Sequence, residues 1–397
     1  MLALGLAFVL AQALALAPPA DDAAAVVRGR ALTDHFQCNR CHSGNGLAEP
    51  APDKACVGCH AQIEAGTFEA PADVLHRWQD HIVDLTMAPS LDGGTRFRRA
   101  WLVDFLQRPH AHDLRPNLSA QMPRLAISEA DARDLAAWIN HEGAASARDP
   151  LTFAAPLHGR KLVESKGCAS CHQMSGLALP LRVSAVPVPL TPAALQAGIT
   201  LAPDLRFARD RLVPERLVEW LMKPSAMKPT TPMPDIPLRR DEAEDIAAFL
   251  LEKPLAPRAE ASVPPRLPIL ERRVSFKEVS EHVFRKTCWH CHSEPDLALG
   301  DGGPGNTGGF GFEGRGLSFV DYTTISGGSL DDQGNRRSIF KPLADGTPRL
   351  LAHILARQVE ATGHEVPGVR GMPLGLPPLS REDVQLVESW IAQGRPE

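Results

Sequence analysis

The stretch Cys168-Ala169-Ser170-Cys171-His172 shows a pattern that occurs four times in this chain of 397 residues. In each copy, two cysteines are separated by two residues and a histidine follows directly. The copies begin at Cys38, Cys56, Cys168 and Cys288, and together they contain all eight cysteines of the sequence. Because no cysteine lies outside the pattern, the spacing indicates one shared chemical role.

This C-x-x-C-H spacing is typical of covalent haem attachment. Two thiols three positions apart can each form a thioether with one vinyl group of a haem, and the adjacent histidine then lies under the iron as its proximal ligand. The sequence therefore predicts four haem c groups. The predicted thioether residues are Cys38, Cys41, Cys56, Cys59, Cys168, Cys171, Cys288 and Cys291, and the predicted proximal ligands are His42, His60, His172 and His292.

Other uses of cysteine explain the pattern less well. Disulfides would not require a histidine after each second cysteine, and a thioredoxin-like redox site would need a βαβ context that the sequence lacks. Zinc is the serious alternative, because 14 residues separate Cys41 from Cys56, which is close to zinc-ribbon spacing. The motifs at Cys168 and Cys288 are isolated, however, and neither can make a four-sulfur site alone.

Composition excludes two broad classes of protein. The chain carries 42 basic and 47 acidic residues, a net charge of −5, so it lacks the basic excess that a general nucleic-acid binder needs to neutralise phosphates. Hydrophobic residues make up 44% of the chain, which is enough to build cores and argues against wholesale disorder.

The N-terminus predicts export. Residues 2–17 are almost purely apolar, a length that suits a signal-peptide core and is short for a membrane span of about 20 residues. We therefore expect a signal peptide over residues 1–20 and a periplasmic protein. No basic residue precedes the apolar run and Pro18 disfavours a cut directly before it, so a retained N-terminal anchor that makes the protein membrane-associated is the alternative.

The chain repeats itself around three of the motifs. Gly29-Arg30-Ala31-Leu32 precedes Cys38 by nine residues, and Gly159-Arg160-Lys161-Leu162 precedes Cys168 by the same interval. Each of the three units contains a methionine directly before a proline, at Met122, Met233 and Met372. Each then closes with a predicted helix that follows a capping residue. These helices are 129–139 after Ser128, 242–250 after Asp241 and 381–391 after Ser380, and a further helix over 276–287 leads into Cys288.

This order of elements resembles the class I cytochrome c domain, repeated three times over about residues 26–395. In that family an N-terminal helix carries C-x-x-C-H, a loop supplies an axial methionine, and a C-terminal helix packs across the first. The resemblance implies an all-α fold of three tandem cytochrome c-like helical domains with long loops around covalently bound haems. It also implies that Met122, Met233 and Met372 are the distal ligands of the first, third and fourth haems, with Met227 as the local rival of Met233. A thioether sulfur is a suitable ligand for haem iron and raises its potential.

The resemblance also suggests the domain boundaries. They are a dihaem domain over 26–145, a monohaem domain over 151–253, a proline-rich linker over 254–269 and a monohaem domain over 270–395. The first unit is longer because Met122 lies 80 positions after His42, whereas Met233 lies 61 positions after His172. We interpret the extra length as an inserted segment, about residues 50–86, that carries the second haem.

The distal ligand of this second haem departs from the family pattern, because no methionine follows the motif in an obvious position. A predicted helix from residue 74 to about 85 presents two histidines, and we predict His81 as the distal ligand, with His76 as the alternative. His110 and His112, in the loop before the first axial methionine, are reserves. An empty sixth position, which would permit catalysis, is the third possibility.

The sequence thus predicts an exported tetrahaem c-type cytochrome that transfers single electrons between redox protein partners and has no substrate turnover of its own. The alternative is a peroxidase-like haem enzyme, or an electron-transfer subunit of a larger exported oxidoreductase. Membrane contact is expected only through the N-terminal segment or a membrane-bound partner complex. The glycine-rich stretch 300–316 lacks the ending of a phosphate-binding loop and is interpreted as a haem-edge or partner-facing loop. His282 and His290, near the fourth motif, are expected at the surface.

Overall fold

The computed structural model describes residues 21–82, 88–112, 122–141, 151–229, 231–251, 255–257, 261–294 and 303–397. The predicted signal peptide lies outside these residues. Within them, no helix is both long enough and apolar enough to cross a membrane.

Helices joined by long loops make up most of the described chain, so the predicted all-α, cytochrome c-like fold is confirmed. The helices are α1 (Asp21–His35), α2 (Cys56–Glu64), α3 (Ala72–Ile82), α4 (Arg99–Gln107), α5 (Glu129–Ile139), α6 (Pro156–Ser165), α7 (Pro192–Leu201), α8 (Ala208–Arg211), α9 (Pro214–Met222), α10 (Pro224–Met227), α11 (Arg240–Leu251), α12 (Phe276–Val279), α13 (Tyr322–Ser326), α14 (Arg349–Glu360) and α15 (Arg381–Ala392). Two antiparallel ribbons accompany them, in which β1 (Gly308–Gly309) pairs with β2 (Phe312–Glu313) and β3 (Ser329–Leu330) pairs with β4 (Arg336–Arg337).

The helix starts largely follow the predicted capping residues. Ser128 forms a reciprocal capping box with Asp131 at the start of α5, and the Ser380 hydroxyl accepts a hydrogen bond from the Asp383 amide at the start of α15. Helix α11 begins at Arg240, two residues before its predicted start, so Asp241 lies in the first turn and not at the cap. The predicted helix before Cys288 is present as α12, which continues as a π-helix over Ser280–Cys288.

Buried hydrophobic side chains form three clusters, which span residues 36–139, 162–250 and 274–390. In each cluster, the helix before a haem motif packs with the helix that closes the unit. These clusters fall within the three units of the sequence repeat, while the domain boundaries themselves stay a prediction.

Glycine allows the terminal helices of the first two units to cross in close contact. A Cβ atom on Gly29 of α1 would lie 2.0 Å from the Asp134 carbonyl oxygen of α5, and a Cβ on Gly159 of α6 would lie 1.9 Å from the Asp245 carbonyl oxygen of α11. Real side chains do not approach backbone oxygens this closely. The repeated Gly-Arg pairs therefore mark the two points where backbones meet.

The first two units meet through equivalent segments. Phe97 and Leu212, which precede the corresponding helices α4 and α9, form an antiparallel bridge. Backbone hydrogen bonds of 2.7 and 2.9 Å flank the bridge on its two sides. This arrangement relates the two units by a local approximate two-fold axis at their contact.

The first and third units meet through a buried charge network. Arg124 pairs with Glu360, which is only 3% exposed, and its backbone carbonyl accepts a hydrogen bond from Arg370 at 2.7 Å. The Arg124 amide donates to the Leu374 carbonyl at 3.3 Å. These bonds place the segment that follows Met122 against the segment that follows Met372.

The close helix crossing in the second unit generates a stability prediction. Gly159→Ala should lower the free energy of unfolding by about 1–3 kcal/mol, the usual cost of overpacking a tight contact, because α6 and α11 must separate. Denaturant unfolding followed by far-UV circular dichroism measures the change. Lys161→Ala, on the exposed face of the same helix, is the matched control and should change the value by less than about 0.5 kcal/mol. Equal stability of the glycine and alanine forms would contradict the close crossing.

Candidate haem sites

One continuous cavity of about 1370 Å³ connects the four motifs. All eight cysteines and all four motif histidines line it, as do Met122, Met233 and Met372. A pocket for one small ligand usually measures about 300–1,000 Å³, so this space is large for a single group. The fold thus brings every predicted thioether and proximal residue, and three of the predicted distal residues, to one shared interior space.

A tight backbone turn arranges each motif. The amide of the histidine donates to the carbonyl of the first cysteine in three motifs, at 2.8 Å for His42, 2.9 Å for His172 and 3.0 Å for His292. The second motif instead begins helix α2, in which His60 follows the first cysteine by one helical turn. In all four motifs, both cysteines and the histidine line the cavity.

Three of the motif histidines are oriented by a second hydrogen bond, from ring atom Nδ1 to a backbone carbonyl. The distances are 2.7 Å from His42 to Pro89, 3.0 Å from His172 to Pro203 and 3.3 Å from His292 to Leu317. Such a bond fixes the tautomer and leaves Nε2 as the basic nitrogen available to a metal. The Ala-Pro repeats that precede α4 and α9 therefore supply the carbonyls in the first two cases.

Burial keeps these imidazoles neutral, as a metal ligand requires. It lowers the pKa of His42 and His172 below the ordinary value, although the carbonyl bonds partly offset the effect. For His292, burial lowers the pKa to about 4. A neutral ring binds iron without first losing a proton.

The second motif lies between the first and the fourth. The Cys56 side chain hydrogen-bonds to Cys41, and this bond together with burial raises the pKa of the Cys41 thiol. On the other side, the ring of His60, which is 7% exposed, lies 5.4 Å from the ring of His290, measured between centroids. His290 is exposed, as predicted, but it also lines the cavity, which the sequence did not indicate.

The three predicted distal methionines have distinct surroundings. Met122 packs against the first hydrophobic cluster and Met233 against the second, where the indole Nε1 of Trp220 donates to the Met233 sulfur at 3.1 Å. Met372 is held through its amide, which donates to the His353 carbonyl at 2.9 Å. Met227 is absent from the residues that line the described cavity, so the geometry favours Met233.

His353 is a cavity residue that sequence reasoning missed. Its Nδ1 bonds to the Arg370 carbonyl at 2.7 Å, the same arrangement as in the proximal histidines, and burial lowers its pKa. It lines the cavity beside Met372 and is a second nitrogen donor near the fourth motif. No motif marks it, because its position depends on how α14 packs, not on spacing in the chain.

The histidines proposed for the second haem are placed differently from one another. His76, on α3, is exposed and does not line the described cavity. His81 is on the same helix, and its side chain lies outside the described residues. His110 bonds to the Leu374 carbonyl at 2.8 Å and His112 to the Asp104 carboxylate at 2.7 Å, so both reserves are engaged elsewhere.

Two polar groups in the cavity walls bear on whether the lining is compatible with haem. The indole Nε1 of Trp101 is buried and has no hydrogen-bond partner among the described residues. Arg96 contacts the Phe97 ring at 4.6 Å, and no described carboxylate pairs with it, while burial lowers the pKa of its guanidinium. A donor and a cation that both border the cavity suit a ligand with anionic oxygens, such as the propionates of haem. The walls therefore fit this group.

The described part of the glycine-rich stretch, from Gly303 onward, packs against the fourth motif. A Cβ atom on Gly305 would lie 2.1 Å from Cε1 of His292, and one on Gly303 would lie 2.7 Å from the His290 carbonyl oxygen. Its tip also reaches the first motif, because the Arg40 guanidinium lies 4.7 Å from the Phe310 ring centre. Of the two roles expected for this loop, the geometry favours a haem-edge role.

The rival uses of cysteine find no support among the described residues, which include all eight cysteines. None of these cysteines forms a disulfide. The described side chains also contain no group of three or more histidine, cysteine, aspartate or glutamate residues that could hold a metal ion. The zinc-ribbon alternative therefore lacks the four-sulfur cluster that it requires.

Comparison with known proteins agrees with this chemistry. Residues 157–253 match the family model described as Cytochrome c, a segment that contains the third motif and Met233. No curated protein and no solved structure matches the chain. The family match supports a c-type cytochrome, with covalently bound haem c and haem-based electron transfer in general.

Proposed function

We propose that this protein is an exported tetrahaem c-type cytochrome that transfers single electrons between redox protein partners. The observation that carries the proposal is the continuous cavity lined by all four C-x-x-C-H motifs. The proposed attachment residues are the eight cysteines, with His42, His60, His172 and His292 as proximal ligands. Met122, Met233 and Met372 are the proposed distal ligands of three haems, and His81, or His76, stays the sequence-based prediction for the remaining one.

When bound, haem supplies a one-electron iron couple whose potential depends on the axial ligands and their hydrogen bonds. The chain's own residues set those conditions. The carbonyls of Pro89, Pro203 and Leu317 orient three imidazoles, and Trp220 donates to the Met233 sulfur. Arg96 and Trp101 suit the anionic edge of the group in the first unit.

The contacts between motifs suggest an order for the four sites. The unit that carries the third motif adjoins the unit that carries the first through the Phe97–Leu212 bridge. The first adjoins the second through the thiols of Cys41 and Cys56, and the second adjoins the fourth through the rings of His60 and His290. We therefore propose a chain of sites in the order third, first, second and fourth, with partners docking at its two ends.

Export remains part of the proposal and rests on the apolar run over residues 2–17 together with the haem motifs. An enzyme of the peroxidase type is the second function class. It needs an accessible coordination position, whereas candidate ligands line the same cavity as the four motifs. Electron transfer without substrate turnover therefore agrees better with the described residues.

The number of haems is the first test. The purified holoprotein should contain four covalent haems per chain, as measured by intact mass and by the pyridine haemochrome assay. The double variant Cys168→Ala/Cys171→Ala should contain three, because only the third motif loses its thioethers. Three haems or fewer in the unaltered protein, or bound zinc in their place, would contradict the tetrahaem proposal.

The Trp220 hydrogen bond gives a prediction for the third haem. Trp220→Phe removes a donor to the Met233 sulfur, which makes the sulfur a stronger donor to ferric iron and should lower that haem's potential. A hydrogen bond of about 1 kcal/mol corresponds to roughly 40 mV for a one-electron couple. Potentiometric titration measures the shift, and Phe105→Leu, a change in the first unit, is the control that should leave the third haem unchanged. An unaltered potential in Trp220→Phe would argue against Met233 as ligand.

Ligand binding separates electron transfer from peroxidase chemistry. The resting ferric protein should be wholly low-spin, should bind cyanide only slowly and should not turn over peroxide, because protein ligands fill each sixth position. Absorption and electron paramagnetic resonance spectra report the spin states. Rapid cyanide binding to one haem together with peroxide turnover would favour the enzyme.

A further inference from the structure

His290 occupies an unusual position within its own motif. It is the residue directly before Cys291, so it belongs to the fourth C-x-x-C-H sequence without being its proximal ligand. Its ring nevertheless lies 5.4 Å from the ring of His60, the proximal histidine of the second motif, with 37° between the two planes. Both residues line the cavity. The fold thus brings a histidine of the fourth motif to the histidine of the second.

The separation of the rings suits two ligands of one metal. If a metal–imidazole bond measures about 2 Å, two imidazoles that bind one metal from opposite sides have ring centres about 6 Å apart. The observed 5.4 Å is slightly shorter, so a small outward movement of either ring would satisfy that geometry. His60 is anchored in helix α2 and buried, which makes the exposed His290 the ring that can adjust.

The backbone around His290 is firmly placed. The Trp289 amide donates to the Phe284 carbonyl at 2.9 Å, and its indole nitrogen donates to the Phe319 carbonyl at 2.8 Å, which ties that side chain to the third hydrophobic cluster. Gly303 packs so tightly against this turn that a Cβ there would lie 2.7 Å from the His290 carbonyl oxygen. Because the neighbouring Trp289 packs against the core, the His290 side chain is directed away from the core and toward the second motif.

The other histidines considered for the second haem are less suitable. His76 is exposed and away from the described cavity, and the rings of His110 and His112 already bond to a carbonyl and a carboxylate. His81 remains the prediction made from the sequence. It lies on helix α3, and its side chain is outside the described residues.

We propose that His290 is the distal axial ligand of the haem at Cys56 and Cys59, opposite His60, in place of His81. The inference rests on the proposed tetrahaem function. It gives the second site two nitrogen ligands, which favours a lower potential than a histidine–methionine pair. It also ties the second site to the fourth within one peptide segment, because the ligand of one haem directly precedes Cys291, a thioether residue of the other.

The test compares three variants of the full-length holoprotein. His290→Ala should convert one of the four haems from low-spin to high-spin in electron paramagnetic resonance, and added imidazole should restore the low-spin signal. His81→Ala, which removes the competing candidate, should leave all four haems low-spin. His282→Ala is the matched control, an exposed histidine just before the same motif, and should also change nothing.

A conservative variant keeps the test informative if removal of the ring disturbs folding. His290→Met should retain four low-spin haems, add one far-red methionine–iron band and raise the potential of one haem, because a thioether replaces an imidazole. The inference is overturned if His290→Ala keeps four low-spin haems, or if His81→Ala produces the high-spin haem. A haem count below four in the unaltered protein would instead overturn the tetrahaem proposal, so the two failures are distinguishable.

Discussion

The architecture depends on the turn that joins each first cysteine to its histidine. A hydrogen bond of 2.8–3.0 Å from the histidine amide to the cysteine carbonyl closes this turn in three motifs, and helix α2 provides its equivalent in the second. The two cysteines and the histidine of each motif line the cavity, which is what a covalently held haem requires. Loops and helices then need only direct four such motifs toward a common interior.

The core reflects this requirement. Three modest hydrophobic clusters, each built where two terminal helices cross, surround a cavity whose walls are apolar but include Arg96 and the Trp101 indole. Aromatic residues form only 5% of the chain, so the protein has little bulky material with which to fill that space itself. We interpret the haems as the missing part of the core, which couples cofactor attachment to folding.

Features that depend on neighbours along the chain could be predicted from the sequence. Helix α5 was predicted at its observed bounds because Ser128 and Asp131 form a local capping box. The predicted attachment residues likewise follow from spacing alone. Positions that depend on the meeting of two distant segments were not predicted. His353 lines the cavity because of how α14 packs, and the ring of His290 lies beside that of His60.

The sequence by itself determined the cofactor chemistry, since a C-x-x-C-H motif carries its thiols and proximal imidazole within five residues. It also indicated the helical repeat, because caps, glycines and prolines act locally. Only the tertiary structure decided how the units and motifs adjoin one another, through contacts such as Phe97 with Leu212 and His60 with His290. Those contacts join residues more than 100 positions apart, and no local pattern encodes which surfaces bury the most apolar area together.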